Sequence, residues 1–260
     1  MFSISIYAYG LLFLGLAAAV TWVLSLPLHN VSIVDSLWSL LFILAGWTYA
    51  MSSASPLSGR ALLALTLVTV WGLRLSVYIT WRNRGHSEDP RYRAIRARNE
   101  PYFSFKSLYL VFGLQAVLAW IISLPLLGAS LSARPLGLFD AAGALAWLLG
   151  FTFEAGGDWQ LARFKARPEN RGRVMDRGFW RFTRHPNYFG DFCVWWGLYL
   201  IAASGGAWWS FVGPLLMSVL LMRVSGVTLL EKTISERRPE YLDYVKRTNA
   251  FFPGRRKRLS

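Results

Sequence analysis

"TRHPNYFGDFCVWWGLYLIAAS", residues 183–204, opens with two cations, a proline, an amide and a carboxylate and then becomes almost wholly apolar. The run from Tyr188 to Ser204 has the length, about 17 to 25 residues, that a helix needs to cross a bilayer. Pro186 suits the first turn of that helix, because its fixed φ is already helical and the N–H it lacks would have no partner there. The helix therefore starts at about His185. Its amino-terminal N–H groups, beside Arg181, Arg184 and His185, form a ready anion site. Asn187 and Asp191 lie one turn apart on one face, where they can hydrogen-bond an amide, a ribose or an adenine. Polar groups at the mouth of a span read as a ligand site.

The same kind of block recurs along the chain, which is 54% hydrophobic and 16% aromatic over 260 residues. Seven windows reach spanning length: about 5–28, 33–52, 60–81, 107–128, 137–159, 188–204 and 208–230. The sequence thus predicts an all-α integral membrane protein, a single domain over 1–260 with seven transmembrane helices. The first window lacks a basic leader and is as long as a full span, so it reads as helix 1 rather than a signal peptide. A net charge of +14 would raise nucleic acid as a partner for a soluble chain. Its placement argues otherwise. Of 28 Lys and Arg, seven lie in 82–106, eight in 160–187 and nine in the tail 231–260; the other four are Arg60, Arg74, Arg134 and Arg223. Basic loops at every second crossing put the amino terminus outside and the carboxyl terminus in the cytoplasm, with a bacterial inner membrane as the expected location. The closing "GRRKRLS" suits anionic lipid headgroups on the cytoplasmic face. With Cys193 alone, no intrachain disulfide or cysteine metal cluster can form.

Charged groups inside spans are costly, about 2.5–3.5 kcal/mol each at the bilayer centre on insertion scales, so each needs a reason. Asp35 opens helix 2; Arg74 and Tyr78 are one turn apart in helix 3; Glu154 and Asp158 are one turn apart in helix 5; Arg223 and Glu231 share a face of helix 7. By the topology above, most of these fall toward the cytoplasmic ends of their helices, as Asn187 and Asp191 do. They read as one cytoplasmic-facing cavity. The two Arg-rich loops, with interleaved aromatics and with Lys165 and Arg173 in the second, read as a clamp for an anionic cofactor: cations for phosphates, aromatics such as Tyr188 for a base. The chain has no Gly-rich strand-to-helix loop for a Rossmann or P-loop site. Its three scattered histidines, His29, His86 and His185, make a His-ligated metal improbable.

"VDSLW" (34–38), "GDWQLARFK" (157–165), "RHPNYFG" (184–190) and "EYLDYVKRTNAFFP" (240–253) together resemble a bacterial membrane family, formerly catalogued only as a domain of unknown function, of the steroid 5-alpha-reductase superfamily. The resemblance covers nearly the whole chain. It implies a seven-helix fold that encloses NADPH from the cytoplasmic side and reduces the carbon–carbon double bond of an enone such as a 4-en-3-oxosteroid. It maps the family's Asn-x-x-Gly-Glu element onto Asn187, Gly190 and Asp191, its helix-5 Asp onto Asp158, its upstream Arg onto Arg173 and its "NRG" onto Asn83, Arg84 and Gly85. The helix-2 acid corresponds to Asp35, and Tyr78 stands nearest to the carbonyl-polarising Tyr. The carboxyl-terminal half also resembles isoprenylcysteine carboxyl methyltransferases, which hold S-adenosylmethionine with "RHPxYxG" and a late Glu-Glu; here Glu231 is followed by Lys232.

The reading is a membrane-embedded NADPH-dependent reductase of a hydrophobic, lipid-like enone taken from the bilayer. In it, Asp35 is a protonated acid at the substrate carbonyl, assisted by Tyr78, and Arg74 orients the acid or binds a phosphate. Asn83, Arg84, Glu154, Asp158, Lys165, Arg173, Arg184, His185, Asn187, Tyr188, Asp191 and Glu231 hold the cofactor. A membrane methyltransferase using S-adenosylmethionine is the alternative. The topology is directly testable. Reporter fusions after Arg134 and after Arg171 are expected on opposite sides of the membrane, and the same side for both would overturn the seven-span reading.

Overall fold

The computed structural model describes residues 2–53, 56–224 and 240–257, and every regular element among them is a helix. In chain order these are α1 (Ile4–Leu28), α2 (Ile33–Met51), α3 (Gly59–Asn83), α4 (Pro90–Asn99), α5 (Phe103–Ile122), α6 (Leu124–Ser130), α7 (Leu138–Lys165), α8 (Pro186–Ser204), α9 (Trp208–Val224) and α10 (Glu240–Arg247). Five of them, α1, α2, α3, α5 and α7, are long and apolar enough to cross a membrane. α8 begins at Pro186, where the proline rule puts it. It falls outside those five, as does the shorter α9. The expected fourth span, 107–128, is instead two helices, because Pro125 has no N–H to give the turn before it; the chain breaks at Ser123 and restarts as α6. The loop expected over 82–106 contains α4 and the first turn of α5. α7 runs past residue 159 to Lys165.

A membrane environment follows from which side chains are left outside. Leu12, Leu16, Val20 and Leu24 recur every four residues along α1, and each is more than half exposed. So continuous an apolar stripe belongs against lipid rather than water.

The chain divides into two compact units, Met1–Asp140 with Ile201–Val212, and Ala141–Leu200 with Gly213–Ser260. In the first, α2 packs against both α1 and α3, and small residues set the spacing. Ser39 Oγ donates to Gly72 O at 2.8 Å and Ser76 Oγ to Ser36 O at 2.8 Å, so α2 and α3 touch through hydroxyl-to-carbonyl bonds. The Tyr7 and Trp120 rings stack at 4.1 Å, and each donates to the other's carbonyl, tying α1 to α5. At one end of this unit Arg60 is 1% exposed. Its guanidinium donates to both oxygens of Asp140 at 2.8 Å, to Ser132 Oγ at 2.8 Å, to Ser204 Oγ at 3.1 Å, and to the carbonyls of Arg134 at 3.0 Å and Pro135 at 2.9 Å. A charge this deep is tolerable because it is paired and every donor position is used.

α4 lies at the other end of α3 and is seated by polar contacts. Asp89 caps it, accepting from Arg91 N at 2.8 Å, with Pro90 following in the first turn. Glu88 accepts from Val31 N at 3.0 Å and from Arg96 at 2.7 and 2.9 Å, and Ser32 Oγ accepts from Asp89 N at 2.8 Å. Burial alone would raise the Glu88 carboxyl, but the hydrogen bonds from Arg96 and Val31, with the charges of Arg96 and Arg93, outweigh it and hold Glu88 below the usual carboxylate range. Asp89 is lowered in the same way: Arg91 overcomes burial.

The second unit is built on backbone contact between α7 and α8. A Cβ placed on Gly190 would lie 2.5 Å from both Gly150 O and Glu154 N; one on Gly150 would lie 2.5 Å from Gly190 O; one on Gly197 would lie 2.6 Å from Gly143 O. Gly143, Gly150 and Gly157 recur every seven residues on α7, as Gly190 and Gly197 do on α8. Lipid gives helices no hydrophobic reason to associate, so small residues that let backbones touch supply the packing.

Two predictions follow from these contacts. Gly190→Ala should lower stability by about 1–3 kcal/mol, the usual penalty for overpacking. Gly15→Ala on α1, where nothing lies within 4 Å of the added carbon, should be neutral or stabilising. Equal thermal midpoints for the two variants in detergent would refute the backbone-contact account. The second concerns pH. Glu88 is depressed in the folded chain, so its stabilisation is complete above the unfolded value and is lost as pH falls through the folded one. Hydrogen exchange of α4 amides should therefore be flat near neutrality and accelerate below a pH of about 4. Glu88→Gln should diminish that acid-dependent step, leaving the part that Asp89 contributes, and an unchanged profile would remove Glu88 as a source.

Candidate functional site

The glycine contact puts buried polar groups on facing turns of α7 and α8. Glu154 is 3% exposed, Asp158 5%, His185 4% and Asp191 9%, and Asn187 Nδ2 donates to Asp158 Oδ1 at 3.4 Å. Gly157 meets the ring of Pro186, with 3.1 Å between its Cβ position and Pro186 Cγ, so the first turn of α8 rests on α7. The His185 imidazole stacks flat on the Tyr188 ring, centroids 5.5 Å apart. The loop before α8 is pinned to α7 from its other side: Trp180 Nε1 donates to Gly157 O at 3.0 Å and Phe179 N to Gln160 Oε1 at 2.9 Å. Of the expected cofactor residues, this brings together Glu154, Asp158, Asn187 and Asp191, with His185 and Tyr188 at the helix start. Lys165 and Arg173 are exposed, on the end of α7 and in the loop that follows. Glu231 lies outside the described residues.

Arg184 has a particular occupation. Its Nη1 donates to Val245 O at 3.1 Å and Thr248 O at 2.6 Å, and its backbone N donates to Asn249 O at 2.9 Å. These are carbonyls in and just after the last turn of α10, which have no partner within their own helix. Thr183 Oγ1 donates to Ala250 O and Phe251 O, Tyr244 OH donates to Trp180 O, and Arg256 pairs with Asp176 at 2.6 Å. Arg184 and Thr183, just ahead of α8, thus dock the carboxyl-terminal segment at the same place where the polar cluster begins.

In the first unit the expected catalytic group is partly rearranged. The Arg74 and Arg82 guanidiniums lie 5.6 and 5.7 Å from the centre of the Tyr78 ring, so Arg74 and Tyr78 are neighbours as their spacing implied. Asp35 has other partners. Its Oδ2 accepts from Arg91 Nη2 at 2.8 Å and its Oδ1 from the Tyr92 hydroxyl at 2.6 Å, while Gln115 Nε2 donates to the same phenol at 3.1 Å. Asp35 is thus held between an arginine on one oxygen and a phenol O–H on the other. Burial, then the Asp35 charge, push the Tyr92 phenol up, so Tyr92 is the group here that keeps a proton. Arg91, Tyr92 and Gln115 were not among the expected residues. A signal for the first two was present: Asp89-Pro90 is a helix cap and first-turn pair, which puts Arg91 and Tyr92 in an ordered first turn. Gln115 follows a π-helical stretch over Leu108–Gly113, a feature often found at functional sites. Asn83 ends α3, accepting from Arg82 Nε at 3.2 Å, and Arg84 is exposed on the turn after it. Among the described residues no group of three or more His, Cys, Asp and Glu could hold a metal ion.

Comparison with known proteins gives the lineage without an activity. An uncharacterized protein of the fission yeast Schizosaccharomyces pombe is 25% identical over 290 residues, covering 95% of this chain and 79% of its own length. No solved structure matches. Residues 21–248 match DUF1295, described as a protein of unknown function; the helices from α2 onward and both polar clusters described above fall within that match, and the chain belongs to the DUF1295 family.

Proposed function

We propose that this protein is an NADPH-dependent reductase acting within the membrane on the carbon–carbon double bond of a hydrophobic enone, steroid-like or isoprenoid. In this reading it has seven spans, with the amino terminus outside and the cofactor residues on the cytoplasmic side. The observation that carries the reading is the Asp35–Tyr92 pair, a buried phenol bound at 2.6 Å to a carboxylate that is itself held by Arg91. Such a pair suits the polarising of a carbonyl oxygen from an apolar site, because the phenol remains protonated while a neighbouring anion orients it. Tyr92 takes the role given to Tyr78 by position in the sequence, and Asp35 becomes the orienting group.

The cofactor fits the groups present in a divided way. Glu154, Asp158, Asn187 and Asp191, all but Asn187 buried, match ribose hydroxyls and a carboxamide, which need acceptors and an amide. Phosphates would fall to Lys165 and Arg173, because Arg184 is engaged with main-chain carbonyls. When bound, NADPH supplies the hydride. The chain's own part is to turn the Tyr92 O–H, which Asp35 Oδ1 accepts here, onto the enone oxygen, to stabilise the negative charge that gathers there, and to keep the substrate in lipid. Gln115, donating to the phenolic oxygen at 3.1 Å, anchors that oxygen while its one proton turns from Asp35 to the substrate.

One observation favours S-adenosylmethionine instead. Three buried carboxylates at the α7–α8 contact would welcome a cationic sulfonium more readily than a polyphosphate. Calorimetry on the solubilised protein separates the readings. NADPH is expected to bind, more weakly as salt rises, and Arg173→Ala should weaken it by about 1.5–3 kcal/mol. Tyr92→Phe should keep cofactor affinity and lower turnover about 100-fold or more, with Asp35→Asn close behind and Tyr78→Phe nearly silent. Tight S-adenosylmethionine binding without NADPH binding would overturn the reductase.

A further inference from the structure

Arg134 breaks the charge pattern of the chain. It lies in a short loop at the end of the first unit opposite α4, where the only other cation singled out by sequence is Arg60, already consumed by Asp140. Arg134 is exposed, and among the described residues no carboxylate pairs with it. Its guanidinium lies across Gly206: Nη1, Cζ and Nη2 are 3.1, 3.2 and 3.4 Å from the position of a Cβ there, and Gly206 has φ of 92°. Beside this pair is a cavity of about 450 Å³, lined by Leu131, Ala133, Arg134, Gly206, Ala207 and Trp209. That volume is within the range of about 300–1,000 Å³ usual for ligand pockets.

Two further features say what the cavity faces. Its walls are fixed, because Arg60 holds the Arg134 carbonyl and the Ser132 hydroxyl, and Ser132 reaches Gly205 O at 3.3 Å. Trp209 gives it an aromatic wall, and further aromatics are close by in the chain. Trp209 meets Phe2 edge-on at 5.1 Å, Trp208 meets Phe139 at 6.2 Å, and Trp208, Phe139 and Phe211 are each about half exposed, at 55, 54 and 46%. Aromatic belts of this kind sit at the headgroup level of a bilayer. Among the described residues Arg134 has no carboxylate partner, and it stands over a cavity whose polar wall is continued by Leu131 and Trp209; at that depth this calls for an anion that arrives attached to an apolar body.

We propose that this cavity is a binding site for the phosphodiester headgroup of an anionic phospholipid, with Arg134 on the phosphate and Leu131 and Trp209 against the lipid backbone. The proposal does not rest on the catalytic reading. Native mass spectrometry of the full chain, released from micelles supplied with phosphatidylglycerol, phosphatidylcholine or inorganic phosphate, tests it. The protein should retain one phosphatidylglycerol in preference to phosphatidylcholine by about tenfold, because both offer the phosphodiester but only choline brings a fixed cation next to Arg134. Arg134→Gln should lose that preference. Ala133→Trp, which fills the cavity and leaves the charge in place, should lose it too, and decides the matter if Arg134→Gln fails to fold. Arg255→Gln with Lys257→Gln should keep it. Retention undiminished in a folded Arg134→Gln or Ala133→Trp protein, or a phosphate adduct in place of the lipid, would overturn the proposal.

Discussion

Where the backbones of α7 and α8 touch, no side chain is left to absorb a shift. Gly150 and Gly190 face each other with room for a hydrogen and nothing larger, and the seven-residue spacing repeats the contact at Gly143 and Gly197. Sliding one helix by a turn would press Glu154 or Val194 into that gap. The register is therefore set by main chain, and with it the relative heights of Glu154 and Asp158 on one helix and Asn187 and Asp191 on the other. Side chains on such a contact are placed by main-chain packing rather than by their own contacts. Gly190, which the sequence motif places in the cofactor element, is explained first by this packing.

The first unit solves a similar problem with different chemistry. Its helices meet through serine hydroxyls on carbonyls and through rings that exchange hydrogen bonds, and its two ends are closed by charge. At one end Arg60, at the start of α3, gathers one loop, the start of α7 and the end of α8 around one guanidinium. At the other, Glu88, Asp89 and Asp35 hold α4 through Arg96 and Arg91. These ends differ in their exposure to water. The Arg60 pair is sealed, whereas Arg91 is 43% exposed at its side chain, so the α4 attachment is the one that salt and acid can reach.

Much of the helical layout was legible from apolar run length and from Pro186, because both act locally: a run is long enough or it is not, and proline fixes its own φ. The break in the fourth span had an equally local cue in Pro125, which the length of the run concealed. The partners of Asp35 were harder to read. Helical spacing shows which residues share a face of one helix, as it did for Arg74 and Tyr78, but Arg91 and Tyr92 reach Asp35 from another helix, 56 and 57 residues away. An Arg-rich loop read for its charge as a phosphate clamp spends two of its arginines on the protein's own carboxylates. Arg184 shows the same limit: its residue type fits an anion, and its position gives it carbonyls.

The Arg60–Asp140 pair also bears on how the chain is made. The two residues are 80 apart, so during synthesis α3 enters the membrane carrying an arginine whose counter-charge has not yet been translated. An arginine at a helix end can wait by extending its side chain to the interface, and Arg60 is the second residue of α3. Ser204, which bonds both members of the pair, arrives later still. The first unit is thus discontinuous in time as well as in sequence. Its opening 139 residues cannot reach their final state by themselves, because the guanidinium they bury finds its partner only when α7 begins.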